Sequence, residues 1–232
     1  MLKALLTDID GTITDPSRRI NTRSIELIRS LVDEGVEVVL ASGNTSCFMD
    51  ALCRMIGTSG THIAENGGVF RVGFDCPLHL NGDQNIPKKA LGILQAHYRN
   101  EGIELPILSA SYRFTDIAIA RIVPAGDIKK VLRETPVQVI DTGYAIHLQA
   151  PGIDKGTALA ALAREMDLPL SDFLAIGDSV NDIQMLRTAG IGITVANAHS
   201  DVKAVAQYVA EKKYGEGFVE AIEKYYPYFR AK

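Results

Sequence analysis

Two segments of the sequence carry pairs of carboxylates that could hold a metal ion. Asp8-Ile9-Asp10-Gly11-Thr12 places acids two residues apart after an apolar run, and Gly177-Asp178-Ser179-Val180-Asn181-Asp182 places acids four residues apart after another. Hard cations such as Mg²⁺ prefer carboxylate oxygens as ligands. Each pair could instead simply begin a loop and cap the following helix. The second segment adds a hydroxyl and an amide, which favours the metal-binding interpretation.

Two further segments have the residue types that hold an anion. Ala41-Ser42-Gly43-Asn44-Thr45 lies between an apolar run and a helical pattern, where free backbone N–H groups and the helix dipole attract a phosphate. Asp154-Lys155-Gly156-Thr157 puts a lysine in the first turn of a predicted helix, the end that cations avoid. An anion bound there would explain the lysine. Taken singly, an ordinary helix cap and a solvated lysine are the simpler interpretations.

The strands and helices predicted around these four segments indicate an α/β fold. Apolar runs at Leu2 to Thr7, Val36 to Ala41 and Phe173 to Ile176 alternate with helix-length segments whose apolar residues recur at helical spacing. This alternation is typical of a parallel sheet covered on both faces, in which ligands bind at the carboxyl ends of the strands. We therefore expect a Rossmann-like, doubly wound core that brings the four segments together. Acids for a metal, a hydroxyl and a lysine for a phosphate, and a spare carboxylate are what phosphoryl transfer requires.

The middle of the chain has a different pattern. Its predicted elements are helices at Pro87 to Asn100 and Ala125 to Arg133, a strand at Ile117 to Val123, and a hairpin of Val137 to Ile140 with Tyr144 to Gln149. Strands joined by a short turn predict an antiparallel sheet. We expect residues 80–152 to form a smaller α+β cap domain, inserted into a core made of residues 1–79 and 153–232.

Composition narrows the classes of partner. The chain of 232 residues has 47% hydrophobic residues and a net charge of -4, a balance that gives no electrostatic attraction toward nucleic acid or an anionic membrane. No apolar stretch approaches the roughly 20 residues of a membrane span, and the N-terminus does not resemble a secretory signal. Three cysteines without CxxC spacing argue against zinc and disulfides. We expect a cytoplasmic monomer or homodimer whose partner is a small phosphomonoester.

Taken in order, the four segments resemble the motifs of the haloacid dehalogenase superfamily of phosphatases. Asp8 to Thr12 is similar to its DxDGT motif, Ser42 to its second-motif hydroxyl, Lys155 to its third-motif lysine, and Gly177 to Asp182 to its GDxxND motif. An insertion between the second and third motifs resembles the Cof-type capped members. Four segments resemble archaeal-type phosphoglycolate phosphatases: Ser42-Gly43-Asn44, Glu65-Asn66-Gly67-Gly68, Gly143-Tyr144-Ala145-Ile146-His147 and Tyr214-Gly215-Glu216-Gly217.

The resemblance implies a Mg²⁺-dependent phosphomonoesterase that works through an aspartyl-phosphate, with phosphoglycolate as the favoured substrate. Asp8 would be the nucleophile, and Asp10 would protonate the leaving oxygen and then activate water. The metal would be held by Asp8, Asp178, Asp182 and the backbone carbonyl of Asp10. The phosphoryl group would be bound by Ser42, Gly43, Asn44 and Lys155, and Asn181 would tether the loop or the phosphate.

Several alternatives remain at this point. Within the superfamily, a sugar phosphate is the second choice of substrate and a phosphomutase a weaker one. A phosphoacceptor receiver domain has similar residue types, but the insertion and the water-activating Asp10 argue against it. A nucleotide-binding module lacks the GxxxxGK[ST] loop. In the insertion, Arg113, Arg121 and His147 have the type that could bind a substrate carboxylate, although a surface charge or a packed strand residue is the simpler interpretation of each.

Overall fold

The chain folds around two β-sheets, as a computed structural model describing residues 1–230 shows. The strands are β1 (Ala4–Asp8), β2 (Glu37–Ala41), β3 (His62–Ala64), β4 (Val69–Arg71), β5 (His79–Leu80), β6 (Ile107–Leu108), β7 (Ile117–Ala120), β8 (Gln138–Asp141), β9 (Ala145–Gln149), β10 (Phe173–Gly177), β11 (Ile191–Thr194) and β12 (Tyr208–Val209). The α-helices are α1 (Thr22–Asp33), α2 (Ser46–Ile56), α3 (Asn85–Arg99), α4 (Ala125–Val131), α5 (Lys155–Glu165), α6 (Ile183–Thr188), α7 (Ser200–Lys203) and α8 (Tyr214–Tyr225). Among these helices, none has the length and apolar character that a membrane crossing demands.

The larger sheet explains how distant segments meet. Its eight strands lie in the order β12-β11-β10-β1-β2-β3-β4-β5. All pairs from β12 to β3 are parallel, and β4 and β5 extend one edge as antiparallel strands. Because β1 lies between β2 and β10, the strand order reverses there, and a crevice opens at the carboxyl ends of these three strands. The predicted doubly wound α/β core is confirmed; the short edge strands β4, β5 and β12 were not predicted.

Alternating side chains attach helices to both faces of this sheet. On β1, Leu5 packs into a buried cluster with α1, α2 and α8, whereas Leu6 packs into a second cluster with α5, α6 and α7. This alternation follows from the two-residue period of a strand. Asn21 accepts a hydrogen bond from the Ser24 backbone N–H and thereby caps α1, which begins at Thr22.

The smaller sheet is antiparallel, in the order β6-β7-β9-β8, and it packs against α3 and α4. The predicted hairpin is present as β8 and β9. Leu94, Ile119 and Ile146 belong to a hydrophobic cluster separate from those of the larger sheet. The strand predicted to reach Val123 ends at Ala120, because the backbone turns there, with Ile122 N–H bonded to the Ala120 carbonyl. Leu80, the first residue of the predicted insertion, pairs with Val69 in the larger sheet.

Candidate active site

The four polar segments converge at the crevice beside β1. Asp8 is the last residue of β1, Ser42 directly follows β2, and Asp178 directly follows β10. Lys155 begins α5, where Asp154 and Thr157 form a reciprocal capping box. The parallel register places the strand ends side by side, with Asp8 opposite Ala41 across the β1–β2 pair. The sheet topology therefore assembles residues that lie far apart in the sequence.

Lys155 is at the centre of this arrangement. Its side chain is fully buried, and its Nζ donates to Asp8 Oδ1 and Asp182 Oδ1, both at 2.6 Å. Burial alone would lower the lysine pKa, but the charges of Asp182 and Asp8 raise it above its ordinary value. The lysine is therefore a charged, buried group, and the interpretation of a solvated lysine is wrong. The anions that explain its place in the first helical turn are the carboxylates of the protein itself.

Three acids lie close enough to share a cation. One carboxylate oxygen from each of Asp8, Asp178 and Asp182 lies within 4.8 Å of the others. Burial and the charge of Asp182 raise the pKa of Asp8 well above its ordinary value, despite the opposing charge of Lys155. The same two causes raise the pKa of Asp178 to about 7. The charge of one lysine thus does not balance the negative charge of the three acids, whereas an additional bound cation would.

Asp182 differs from the other two acids in the cluster. Its Oδ1 accepts from Lys155, and its Oδ2 accepts from the backbone N–H groups of Asp178 and Ser179 at 3.0 and 2.9 Å. Both oxygens are thus already engaged. The Asp178 carboxylate, in contrast, accepts from side chains alone among residues 1–230: from Thr12 and Ser179 at 3.3 Å and from Asn197. This geometry makes Asp182 the residue that shapes the Asp178 loop and orients Lys155.

Asp10 lies apart from the acid cluster and faces the open side of the crevice. Its carboxylate is 3.5 Å from the Asn44 side-chain nitrogen and 3.7 Å from Arg18 Nε. Ser42 Oγ accepts from both the backbone and the side-chain nitrogen of Asn44, at 3.1 and 3.0 Å. The side chains of Asp10, Ser42 and Asn44 thus form one hydrogen-bonding surface beside Asp8.

Two glycines allow the polar segments to approach each other. Gly11 has a φ of 91°, and a Cβ at this position would collide with the Asp178 carboxylate. A Cβ at Gly177 would lie 2.6 Å from the Asp182 carboxyl carbon. A side chain at Gly11 would push the first segment away from the fourth, and one at Gly177 would displace the Asp182 carboxylate within the fourth segment. The glycines of the two motifs are therefore required by the close packing of the acids.

A pocket of about 220 Å³ opens above Asp8. Asp8, Asp10, Ser42 and Asn181 lie on the side of the larger sheet, and Asn181 donates to Asn66 at 2.9 Å. The side of the smaller sheet contributes Arg113, His147 and Tyr144. Arg121 does not line this pocket; it bonds Asp141 and the Gly143 carbonyl on the exposed hairpin. Of the three cationic candidates from the insertion, the structure places two at the pocket.

Comparison with known proteins assigns this geometry to a family. The model of the haloacid dehalogenase-like hydrolases matches residues 5–109 and 125–222. The chain belongs to that family. It is 56% identical over 230 residues to a phosphoglycolate phosphatase of Methanoculleus marisnigri, with 98% of each chain covered. It is 46% identical to a phosphoglycolate phosphatase of Methanospirillum hungatei, with 100% of each covered. The solved structure of Thermoplasma acidophilum 0175 has a TM-score of 0.85 at 28% identity, covering 97% of this chain and 99% of that one.

Membership in the haloacid dehalogenase-like hydrolases confirms the resemblance that the four segments predicted. It does not account for three residues that the sequence analysis missed. Asn197 donates to the Gly11 carbonyl at 2.9 Å and to Asp178 Oδ2 at 3.3 Å, which joins the first and fourth segments. Arg18 lines the pocket, and Glu65 joins the two sheets. Of these three residues, Glu65 alone belongs to a segment that the sequence analysis quoted, Glu65-Asn66-Gly67-Gly68, and the resemblance assigned no role to it.

Glu65 of this haloacid dehalogenase-like hydrolase is a buried link between the two sheets. Its Oε2 accepts from the backbone N–H and the hydroxyl of Thr115 at 2.8 and 2.7 Å, and its carboxylate also accepts from the Phe114 N–H. Burial and the charge of Asp116 raise the Glu65 pKa. The Glu65 carbonyl accepts from Gln149 of β9 at 2.8 Å. The loop that carries Arg113 is therefore anchored to the larger sheet by one carboxylate.

Replacing Glu65 with alanine is expected to lower the free energy of unfolding by about 3 kcal/mol, because several buried donors lose their acceptor. Activity should fall as well, since the loop beside the pocket is released. Urea titration of the purified variant measures the first effect. Glu134→Ala is the matched control: its side chain is 84% exposed, and we expect a change within about 0.5 kcal/mol. Equal stability of the two variants would contradict the anchoring role.

Proposed function

We propose that this hydrolase is a Mg²⁺-dependent phosphatase that converts phosphoglycolate into glycolate and phosphate through a phosphoryl group carried by Asp8. The observation that carries the proposal is that Asp8, which lines the pocket, is paired with the fully buried Lys155 behind it. A carboxylate held by an ammonium group, with further acids beside it, suits nucleophilic attack on phosphorus. Asp8 Oδ1 accepts from Lys155, and within residues 1–230 no hydrogen bond reaches Oδ2. Oδ2 is therefore the attacking atom.

The reaction has two displacements. In the first, Asp8 Oδ2 forms a bond to phosphorus, the ester P–O bond breaks, and Asp10 gives its proton to the departing alkoxide. In the second, Asp10 takes a proton from water, the water oxygen bonds phosphorus, and the acyl-phosphate bond breaks to regenerate Asp8. The position of Asp10 on the open side of the crevice suits both roles, because leaving group and water approach from there.

The phosphoryl oxygens need donors that are already in place. Lys155 Nζ supplies one, and Ser42 Oγ and the Asn44 side-chain amide supply others. The Gly43 backbone adjoins them, and Asn181 tethers the Asp178 loop to Asn66. Because these groups are held by hydrogen bonds before substrate arrives, little reorganisation accompanies the transfer.

The acid cluster fits a magnesium ion. Asp8, Asp178 and the Asp10 backbone carbonyl would hold it. Asp182, predicted from the sequence as a further ligand, lies in the same cluster, but both of its oxygens accept hydrogen bonds, so we assign it to orienting the Asp178 loop and Lys155. When bound, Mg²⁺ would neutralise charge on the phosphoryl group and on the crowded acids. Burial and the charge of Asp182 raise the pKa values of Asp8 and Asp178, so a cation at the cluster would stabilise the ionised forms of both acids. Oxygen-only ligands favour a hard cation over zinc.

The identity of the substrate rests on the relatives and on the size of the pocket. The two relatives described above are phosphoglycolate phosphatases with 56% and 46% identity over nearly the full chain. A cavity of about 220 Å³ lies below the roughly 300–1,000 Å³ of pockets for drug-sized ligands, which favours a two-carbon ester over a hexose phosphate. We assign the inserted segment, residues 80–152, as the cap that closes this cavity; its first residue, Leu80, pairs in the larger sheet and marks the junction with the core. Three free thiols fit a reducing cytoplasm.

We expect the purified protein to release phosphate from phosphoglycolate in the presence of Mg²⁺ and to lose this activity in EDTA. Phosphoglycolate should show a higher kcat/KM than hexose phosphates, because the cavity is small. The measurement is phosphate release across a panel of esters, with Mg²⁺ restored after chelation as the control. A wide preference for hexose phosphates would overturn the choice of substrate. No turnover of any ester, with Asp8 stably phosphorylated by a small phosphodonor, would instead indicate a receiver-type function.

A further inference from the structure

The pocket contains cationic side chains whose charges are compensated to different degrees. Arg113 Nη1 donates to both carboxylate oxygens of Asp116 at 2.8 and 3.0 Å, and to the Gly43 carbonyl at 3.2 Å. His147 Nδ1 pairs with the same Asp116 at 2.7 Å. The Arg113 Nε has no partner within residues 1–230, but this atom is shielded from solvent. Arg113 is thus neutralised and engaged in joining the two sheets.

Arg18 differs from Arg113 in its exposure and in its contacts with carboxylates. It lies in the loop between Thr14 and Ile20, and its side chain is 48% exposed at the pocket. Its guanidinium carbon lies 4.0 Å from the centre of the Tyr144 ring. The nearest carboxylate is Asp10, whose Oδ1 is 3.7 Å from Arg18 Nε, beyond hydrogen-bonding distance. Arg18 therefore brings to the pocket a positive charge with no hydrogen-bonded carboxylate partner among the residues described.

The chemistry of phosphoglycolate requires a cation at this place. Its carboxylate is separated from the ester oxygen by a single methylene group, and Asp10 must reach that ester oxygen to protonate it. The group that binds the carboxylate must therefore lie within a few ångströms of Asp10. Arg18 satisfies this condition, whereas Arg121 lies on the exposed hairpin, outside the pocket.

We propose that Arg18 binds the substrate carboxylate and thereby selects an anionic two-carbon ester over neutral esters of the same size. This inference rests on the proposed function. A guanidinium group presents paired N–H donors that match the two oxygens of a carboxylate. The Tyr144 ring supports the guanidinium from below through a cation–π contact, which keeps the donor edge free. Because Tyr144 belongs to the segment assigned to the cap, carboxylate binding also joins the Arg18 loop to the cap.

The test compares phosphoglycolate with 2-hydroxyethyl phosphate, a neutral-tailed ester of nearly the same shape. For Arg18→Gln we expect the ratio of kcat/KM values, phosphoglycolate over hydroxyethyl phosphate, to fall about 10- to 100-fold, the size of a lost charge-assisted hydrogen bond. Arg18→Lys should recover part of the ratio, since a charge without the paired donors remains. Arg19→Gln removes the same charge from the neighbouring, exposed residue outside this pocket, and should leave the ratio unchanged.

Two results would overturn this assignment while leaving the proposed function intact. Equal losses on both esters in Arg18→Gln would mean that Arg18 acts through Asp10 or through the loop. A selective loss in Arg113→Gln, without one in Arg18→Gln, would transfer the role to Arg113. In contrast, a wild-type protein that hydrolyses other esters but not phosphoglycolate would overturn the proposed substrate, and this inference with it. Circular dichroism of each variant establishes that the fold is retained.

Discussion

Asp8→Asn is expected to lower the rate of phosphate release by about 10⁴-fold or more, the scale seen when the nucleophile of a covalent enzyme is removed. An amide oxygen cannot form the acyl-phosphate. The hydrogen-bond donors around position 8 stabilise charge but cannot replace the missing nucleophile. The measurement is single-turnover phosphate release, together with mass spectrometry of acid-quenched protein. Wild-type protein should carry one added phosphoryl group, and the variant none.

The thermal stability of the Asp8→Asn variant is the control for this experiment. Burial and Asp182 raise the pKa of Asp8 in the folded protein. Ionisation therefore costs more in the folded protein than in the unfolded chain, and ionised Asp8 weakens folding once the pH exceeds its usual value. Asp8→Asn removes this cost, so without metal it should unfold at no lower temperature than wild type. Retention of a tenth of the activity in a correctly folded variant would exclude Asp8 as the nucleophile.

Lys155→Met is expected to lower the free energy of unfolding of the metal-free protein by about 3–5 kcal/mol, the cost of leaving buried charges without their partner. Asp8 and Asp182, each 2.6 Å from the ammonium group, would face each other uncompensated. Phosphate release should also fall by about 10²- to 10³-fold or more, because a donor to the phosphoryl group is lost. Urea titration in EDTA and phosphate release measure the two effects.

A double variant separates charge from packing. Lys155→Met with Asp182→Asn should be more stable than Lys155→Met alone, because one of the two uncompensated carboxylates is gone. Lys130→Met is the matched control; this lysine pairs with Asp127 but its side chain is 80% exposed, and we expect a change within about 0.5 kcal/mol. If Lys155→Met were as stable as the control, the ammonium group would not be compensating buried charge.

Local patterns determined where the chemistry-bearing residues lie along the elements. The apolar run before Asp8 predicted a buried strand that ends at that residue, and β1 does end there. The helical spacing of the apolar residues between the first two apolar runs predicted a helix there, which is α1. These features depend on hydrogen bonds and side-chain periodicity within a few residues, which the sequence displays directly. The same locality explains why the two-residue strand β6 was missed: it is too short to show a period.

Charge compensation, in contrast, was decided only by the tertiary structure. Lys155 bonds Asp8 across 147 residues of sequence, and Glu65 bonds Thr115 across 50. Whether a charged side chain is buried and paired depends on neighbours that the sheet topology supplies, so no local pattern could distinguish the buried Lys155 from a solvated lysine. Arg113, a candidate by type, is engaged by Asp116, whereas Arg18, which no pattern singled out, lies 3.7 Å from Asp10 without a hydrogen bond to it among the residues described. The sequence by itself determined the polar groups of the four segments, because their positions after apolar runs are local features. The fold decided which of these groups remain free to act, and it added Arg18, Glu65 and Asn197 through contacts between residues far apart in the sequence.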